Sequence, residues 1–372
     1  MRGHFSELSS NRMCLNIASD ARSGSTDIVI DLDLRPPTHL EMRTTVTARC
    51  TEIDGGIAML SDISGSIIIA QTPFDDRGAV DFVSIDSLTD FYLGHGANGF
   101  VVLGVSGEGG KLTSQEALDV SSRFIKRAGE KPVIVGVSNP SSAQLQVLAK
   151  EAMDRGASGV MIAPPSGIRT ELELFNYFAA VFDMIGEIPV VLQDFPGSTG
   201  VWMSVPAILR LIVSFPQIQV VTEEDVPSLE RISQLRAGQG RRVQILTGNN
   251  GLYLPYEMAR GIDGPMAGFS HPEMLSGVYR LYVEGKIDTA HDLFDIYLPL
   301  LDYEAQGFWG VAARKEVMRR RGAIRHATMR RPGPSLSGQH LAEIDLLLRR
   351  LDRSLAGAGK PVTSCGAKAA IS

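Results

Sequence analysis

Between residues 66 and 271 the chain repeats one pattern: a short apolar run rich in β-branched residues, an amphipathic stretch, then another run. The runs are "SIIIAQTPF", "GFVVLGVSGE", "PVIVGVSN", "GVMIAPP", "IPVVLQDFP", "IQVVTEED", "VQILTGNN" and "GPMAGFSH". Unbroken apolar runs, as opposed to alternating ones, are what strands buried on both faces require, so they predict a parallel sheet. The stretches between them read as helices. In "SSAQLQVLAKEAMDRG" the apolar residues recur at three- and four-residue spacing and end on a capping glycine. About eight such units in roughly 230 residues have the size and rhythm of a (β/α)8 barrel. A doubly wound sheet also alternates, but it carries a glycine-rich dinucleotide turn after its first strand. Here that strand runs into "QTPFDDRG". The expected fold class is α/β, a (β/α)8 TIM barrel.

Four helical segments follow the eighth run: "HPEMLSGVYRLYVEG", "KIDTAHDLFDIYLPLLDYEA", "GVAARKEVMRRRG" and "GQHLAEIDLLLRRLDRSL". They predict a closing helix and a C-terminal helical extension, with Pro332 and Pro334 separating the last two. The expected organisation is an unassigned extension over residues 1–60, a barrel over 61–285, helices over 286–355 and a mobile tail over 356–372. Within the extension, "DIVIDLDL" reads as one strand, whereas "SDARSGSTD" and "DLRPPTH" read as turns and loops.

Charge and cysteine content narrow the partners. The 372 residues carry a formal charge of −6, and the one basic cluster, "RRRG" at 319–322, lies on an expected helix, so no nucleic-acid partner is expected. That cluster reads as a solvated face or a subunit contact. Cys14, Cys50 and Cys365 are odd in number and far apart, which indicates neither a disulfide framework nor a metal knuckle. The first residues lack the apolar core of a signal peptide, and no stretch reaches the roughly 20 apolar residues of a membrane span. A cytoplasmic location is expected by default, with no membrane partner.

From about residue 64 to 351 the chain resembles the dihydrodipicolinate synthase / N-acetylneuraminate lyase family of class I pyruvate aldolases. "TPFDDRGAVD" is similar to the family's first strand and loop, and "GVSGEGGKLTSQE" to its Gly-Thr-Thr-Gly-Glu turn. The long segment "PVIVGVSNPSSAQLQVLAKEAMDRGASGVMIAPP" resembles the third and fourth units. "LQDFPGSTG" takes the place of Leu-Tyr-Asn-x-Pro-x-x-Thr-Gly, and "ILTGNNGLYLPYEMARGIDGPMAG" resembles the seventh and eighth units. The resemblance implies a TIM barrel with C-terminal helices, a small carboxylate or 2-oxo acid ligand, no cofactor and a homo-oligomer, dimer or tetramer.

It also implies a lysine at the end of the sixth strand that captures pyruvate as an imine. The matching position here is Thr222 or Glu223, neither of which has an amine. The family's proton-relaying tyrosine is matched by Gln193, the arginine for the second substrate's carboxylate by Ser198, and the first Thr of the glycine turn by Val105. Gln193, Thr222 and Glu223 are therefore the positions where catalytic groups are expected, with altered chemistry. Ser106, Gly107 and Glu108 are candidates for binding a carboxylate through a turn's N–H groups, and Asn249 and His271 stand at later strand ends as further substrate contacts. Lys111 is the lysine nearest the mouth in sequence and the candidate for a relocated amine. Because side chains alternate across a strand, Thr222 and Glu224 share one face and Glu223 takes the other.

Three functions follow. One is a carbon–carbon lyase or aldolase on a small 2-oxo acid with altered catalytic residues. Another is an inactive homologue that keeps a carboxylate pocket as a sensor or oligomer partner. The third is metal-assisted enolate chemistry at an acidic mouth, with Asp194, Asn249 and His271 beside the acids at 223–225. No metal site is assigned.

Overall fold

The computed structural model describes residues 60–358 and, in a separate N-terminal unit, two short strands, β1 (Leu15–Ser19) and β2 (Thr26–Ile30). These two pair antiparallel, with Leu15 opposite Ile30. The strand expected in "DIVIDLDL" corresponds to β2. The expected loop "SDARSGSTD" gives its first residue, Ser19, to β1 and its last two, Thr26 and Asp27, to β2; the rest of it, "DLRPPTH", the three cysteines and the tail beyond Ala358 lie outside the described residues.

The eight apolar runs form β3 (Ile67–Ile69), β4 (Gly99–Val102), β5 (Val133–Gly136), β6 (Gly159–Ile162), β7 (Val190–Asp194), β8 (Ile218–Glu223), β9 (Gln244–Thr247) and β10 (Gly264–Ala267). They pair in parallel, in sequence order, and β10 closes onto β3: the expected (β/α)8 barrel. The runs are continuously apolar because each strand feeds two cores. Ile67, Ile69, Val101, Ile134, Met161, Val191, Val220, Leu246 and Met266 fill the barrel's interior. Their sequence neighbours Ile68, Phe100, Val102, Val135, Val160, Leu192, Val221 and Ile245 face the helices. Two-sided burial removes the alternation that a solvated sheet would show.

Around the barrel run α1 (Phe82–Gly94), α2 (Ser114–Ala128), α3 (Ser142–Asp154), α4 (Glu171–Ile185), the short α5 (Pro196–Thr199), α6 (Val205–Ser214), α7 (Ser228–Gly238) and α8 (Leu254–Met258). The barrel is completed by α9 (Pro272–Val283) and extended by α10 (Ile287–Glu304), α11 (Gly307–Arg320) and α12 (Gly338–Ala358). Capping boxes at Thr113–Glu116 and Thr170–Glu173 fix where α2 and α4 start above the strand ends. No helix among the described residues is long and apolar enough to cross a membrane.

The floor of the barrel is a plug. A turn at Leu60–Asp62 precedes β3 and places Leu60 and Ile63 in the inner core. A Cβ at residue 159 would collide with the Leu60 side chain and with the Pro189 carbonyl, so the position takes glycine. Leu60 is fully buried, so Leu60→Ala should leave a cavity and cost about 2–5 kcal/mol in denaturant unfolding. A loss below about 1 kcal/mol would mean that the floor does not depend on this side chain.

Candidate functional site

The C-terminal ends of the strands are divided between two neighbourhoods. Over β10, β3 and β4 lies α11, whose charged residues reach the strand ends. Gln71 Nε2 donates to Val311 O at 3.2 Å, and Lys315 Nζ donates to Thr72 O at 2.8 Å. Over β4 to β7 the mouth is open, and a cavity of about 250 Å³ is lined there by Leu103–Val105, Ser138–Pro140, Ala163–Ser166, Gln193, Ser198 and Thr199 among others.

Gln193 is the nominated residue that lines this cavity. Thr222 pairs with it across the β7–β8 ladder and is fully buried, its hydroxyl without a hydrogen-bond partner among the described residues. Beyond Thr222 the strand's alternation separates the acids. Glu224 lies on the Gln193 side and accepts from Gln193 Nε2 at 2.8 Å. A Cβ at residue 248 would collide with its carboxyl, so Gly248 makes room for it. Burial raises the Glu224 carboxyl to about 7, against the hydrogen bonds from Gln193 and the Asn249 amide that favour its ionised form.

Glu223 turns the other way, toward α7. Arg231 donates Nε to Glu223 Oε1 at 3.1 Å and NH2 to Asp194 Oδ2 at 2.5 Å, and its NH1 lies 3.4 Å from Asp225. Burial, and then their mutual repulsion, raises Glu223; burial also raises Asp194, while Arg231 pulls both down. The strand-face argument made for Thr222, Glu223 and Glu224 is met in the structure.

The glycine turn after β4 is held by the Glu108 amide on Val105 O at 3.0 Å and by the Thr72 hydroxyl on Gly107 O at 2.6 Å. Gly104 and Val105 face the cavity, whereas Ser106 is half-buried and Gly107 buried, outside its lining. The Glu108 side chain turns away, its carboxylate accepting from Lys315 Nζ at 2.6 Å, Lys111 Nζ at 2.8 Å and the Arg330 amide at 3.1 Å. Lys111 is thereby committed: it also donates to Arg330 O at 2.7 Å and lies over the Phe308 ring.

Asn249 has left-handed backbone, and its side-chain Nδ2 is buried without a partner among the described residues. His271 is buried beside Phe269 and Tyr297, with Nδ1 2.9 Å from the Ser270 hydroxyl. Burial, reinforced by Arg321 and His95, pushes its imidazole down to about 3, so it is neutral. The structure thus gathers Gln193 and Thr222 with Glu224 and leaves Glu223, Glu108 and His271 elsewhere.

Among the described residues no group of three histidine, cysteine or carboxylate side chains could hold a metal. The acids expected to share one mouth are split by strand alternation, and a guanidinium stands among the outer three. The "RRRG" cluster is likewise engaged within the chain. Arg319 and Arg320 pair with Glu316, and Arg321 with Glu273.

Comparison with known proteins agrees with this architecture. The profile of the dihydrodipicolinate synthetase family matches residues 62–351. An L-2-keto-3-deoxyarabonate dehydratase from Azospirillum brasilense is 30% identical over 295 residues, covering 77% of this chain and 94% of its own. A 4-hydroxy-tetrahydrodipicolinate synthase from Persephonella marina is 31% identical over 240 residues, 63% of this chain and 80% of its own. The crystal structure of a dihydrodipicolinate synthase from Rhodopseudomonas palustris superposes with a TM-score of 0.77 at 44% identity, covering 78% of this chain and 99% of that one.

Proposed function

The chain belongs to the dihydrodipicolinate synthetase family, and from that premise we propose that it is a lyase of small 2-oxo acids that works by acid–base chemistry without a lysine imine. The observation that carries this reading is the Gln193–Glu224 pair beside the cavity. A carboxyl poised near neutrality is matched to proton transfer at a carbon next to a ketone. Glu224 stands behind Gln193; when the ligand displaces that amide, the Glu224 carboxylate takes a proton from C3 of the 2-oxo acid, or from the C4 hydroxyl when the C3–C4 bond breaks. The electron pair released moves onto the C2 oxygen as an enolate. The Thr222 hydroxyl, buried beside Gln193 and without a partner among the described residues, supplies a hydrogen bond to that oxygen once the Gln193 amide has moved aside. The carboxylate end meets the turn at Gly104 and Val105. A cytoplasmic homo-oligomer, dimer or tetramer, is part of the same proposal and is read by light scattering.

Exchange of the pyruvate methyl protons in D2O, followed by proton NMR, tests this. The expected rate rises with pH and levels off above about 7, because the base is the ionised form. Glu224→Gln should slow it by about 10²–10⁴-fold. Borohydride with pyruvate should leave the protein's mass unchanged; an adduct on any lysine would sink the imine-free route. A second reading, an inactive homologue that only binds a carboxylate, is favoured by the two committed amines, Lys111 and Lys315. Its signature is a ligand-induced rise in melting temperature without exchange.

A further inference from the structure

We infer that Asn250 is a positioning residue for Glu224: its contact with Arg314 fixes the turn whose amide holds the Glu224 carboxyl, so that the C-terminal helices set the geometry of the base. This rests on the acid–base reading above. The turn after β9 carries the signal. Asn249, Asn250 and Gly251 all have left-handed backbone, with φ of 49°, 58° and 81°. Asparagine enters that region more readily than most side chains, but as a single residue; two in succession before a glycine are held there by their surroundings. Strain of this kind collects where a fold must aim a group.

Locally the turn is closed by the Gly251 amide on Gly248 O at 2.8 Å and the Leu252 amide on Asn249 O at 3.0 Å. Leu275 of α9 fills the place that a Cβ at residue 251 would take. The long-range hold is on Asn250, whose Oδ1 accepts from Arg314 NH2 at 2.5 Å. Arg314 is itself fixed. It is buried, its Nε donates to Glu304 Oε2 at 3.3 Å, and its NH1 takes the space left by Gly268 after β10. Glu304 also accepts the Ser270 amide at 3.1 Å. A buried chain thus runs from α10 through α11 to the turn. From the turn it reaches the base, because the Asn249 amide donates to the Glu224 carboxyl, which favours the ionised form. The charged groups that face Glu224 are Asp194 at the end of β7 and Glu257 in α8, both acids that oppose ionisation. Gln193 and the Asn249 amide act against them, and once a ligand displaces Gln193 the Asn249 amide is the donor that stays.

The test is exchange of the pyruvate methyl protons by the full chain carrying Asn250→Gly or Asn250→Asp, with a thermal melt of each. Glycine adopts a φ of 58° without strain and removes the Oδ1 acceptor, whereas aspartate keeps an acceptor for Arg314. Asn250→Gly should lower kcat about tenfold or more, keep KM for pyruvate within about twofold, and move the pH midpoint of exchange upward, because the Glu224 carboxylate loses a fixed donor. Asn250→Asp should stay within about threefold of the parent kcat. A lower melting temperature in Asn250→Gly with kcat and midpoint unmoved would assign the contact to stability alone and overturn the inference. Equal losses of kcat in the two variants would overturn it as well, since the Arg314 contact survives in one of them. If the unaltered protein exchanges no methyl protons, the acid–base reading falls and takes this inference with it.

Discussion

Arg231→Met should lower stability by about 3–5 kcal/mol at pH 8, roughly 10 °C in melting temperature, and by less than half of that at pH 5. Arg231 is the cation among Asp194, Glu223 and Asp225, and the first two are fully buried. Burial already holds both of them above the usual carboxylate range with the guanidinium in place. A group whose folded pKa is raised binds its proton more tightly folded than unfolded, so its contribution to stability falls as pH rises toward that raised value. Removing Arg231 raises both further and deepens this fall. At pH 5 the folded protein keeps the two carboxyls largely protonated, and the variant loses little more than hydrogen bonds, about 1–2 kcal/mol. Thermal melts across this range decide the matter: equal losses at both ends would assign Arg231 to packing instead of charge.

How far such a site could be read in advance depends on the distance its partners span. The barrel was legible because its signal is local: eight β-branched runs, buried on both faces, need no knowledge of what packs where. Strand parity reached one step further. It separated Glu223 from Glu224, although the sequence argument then nominated Glu223 as a catalytic position and named Glu224, the acid beside Gln193, only among the acids at 223–225. Glu108 and His271 are different. Glu108 looks like part of a carboxylate turn until Lys315, 207 residues away, is placed against it. His271 looks like a mouth residue until Tyr297 of α10 and Arg321 close over it. Nothing in "VAARKEVM" marks Arg314 and Lys315 as buried, since charged residues in a helix ordinarily face water. The small residues Gly310, Ala312 and Ala313 are the available hint that this helix packs closely on all sides.

The burial of Lys315 leads to the second large effect, with the opposite dependence on pH. Glu108→Ala should cost about 3–5 kcal/mol at pH 7, and the loss should shrink as pH rises from there to about 8, the parent's folded Lys315 value, and level off above it. Lys315 has no exposed side-chain surface, and without Glu108 its ammonium keeps the carbonyls of Thr72 and Thr328 and the face of the Phe74 ring, but no counter-charge in contact. Burial lowers Lys315 to about 8 even with Glu108 pulling it up; removing the carboxylate drives it lower still. A lysine with a depressed folded pKa binds fewer protons folded than unfolded, so stability rises with pH from that folded value to the ordinary lysine value. The variant enters this window at lower pH than the parent and recovers as its amine becomes neutral. The double change Glu108→Leu with Lys315→Met should restore much of the loss at pH 7, because it removes both buried charges together. A loss that did not vary with pH, or a double variant no better than Glu108→Ala, would refute the account. The consequence reaches the cavity. Glu108 also holds the Arg330 amide and Lys111, tying the segment after α11 to the turn whose Gly104, Val105 and Gly110 form one wall. Ligand binding and stability should therefore weaken together in Glu108→Ala, whereas Arg231→Met, on the outer face of β8, should destabilise the fold with a smaller effect on binding.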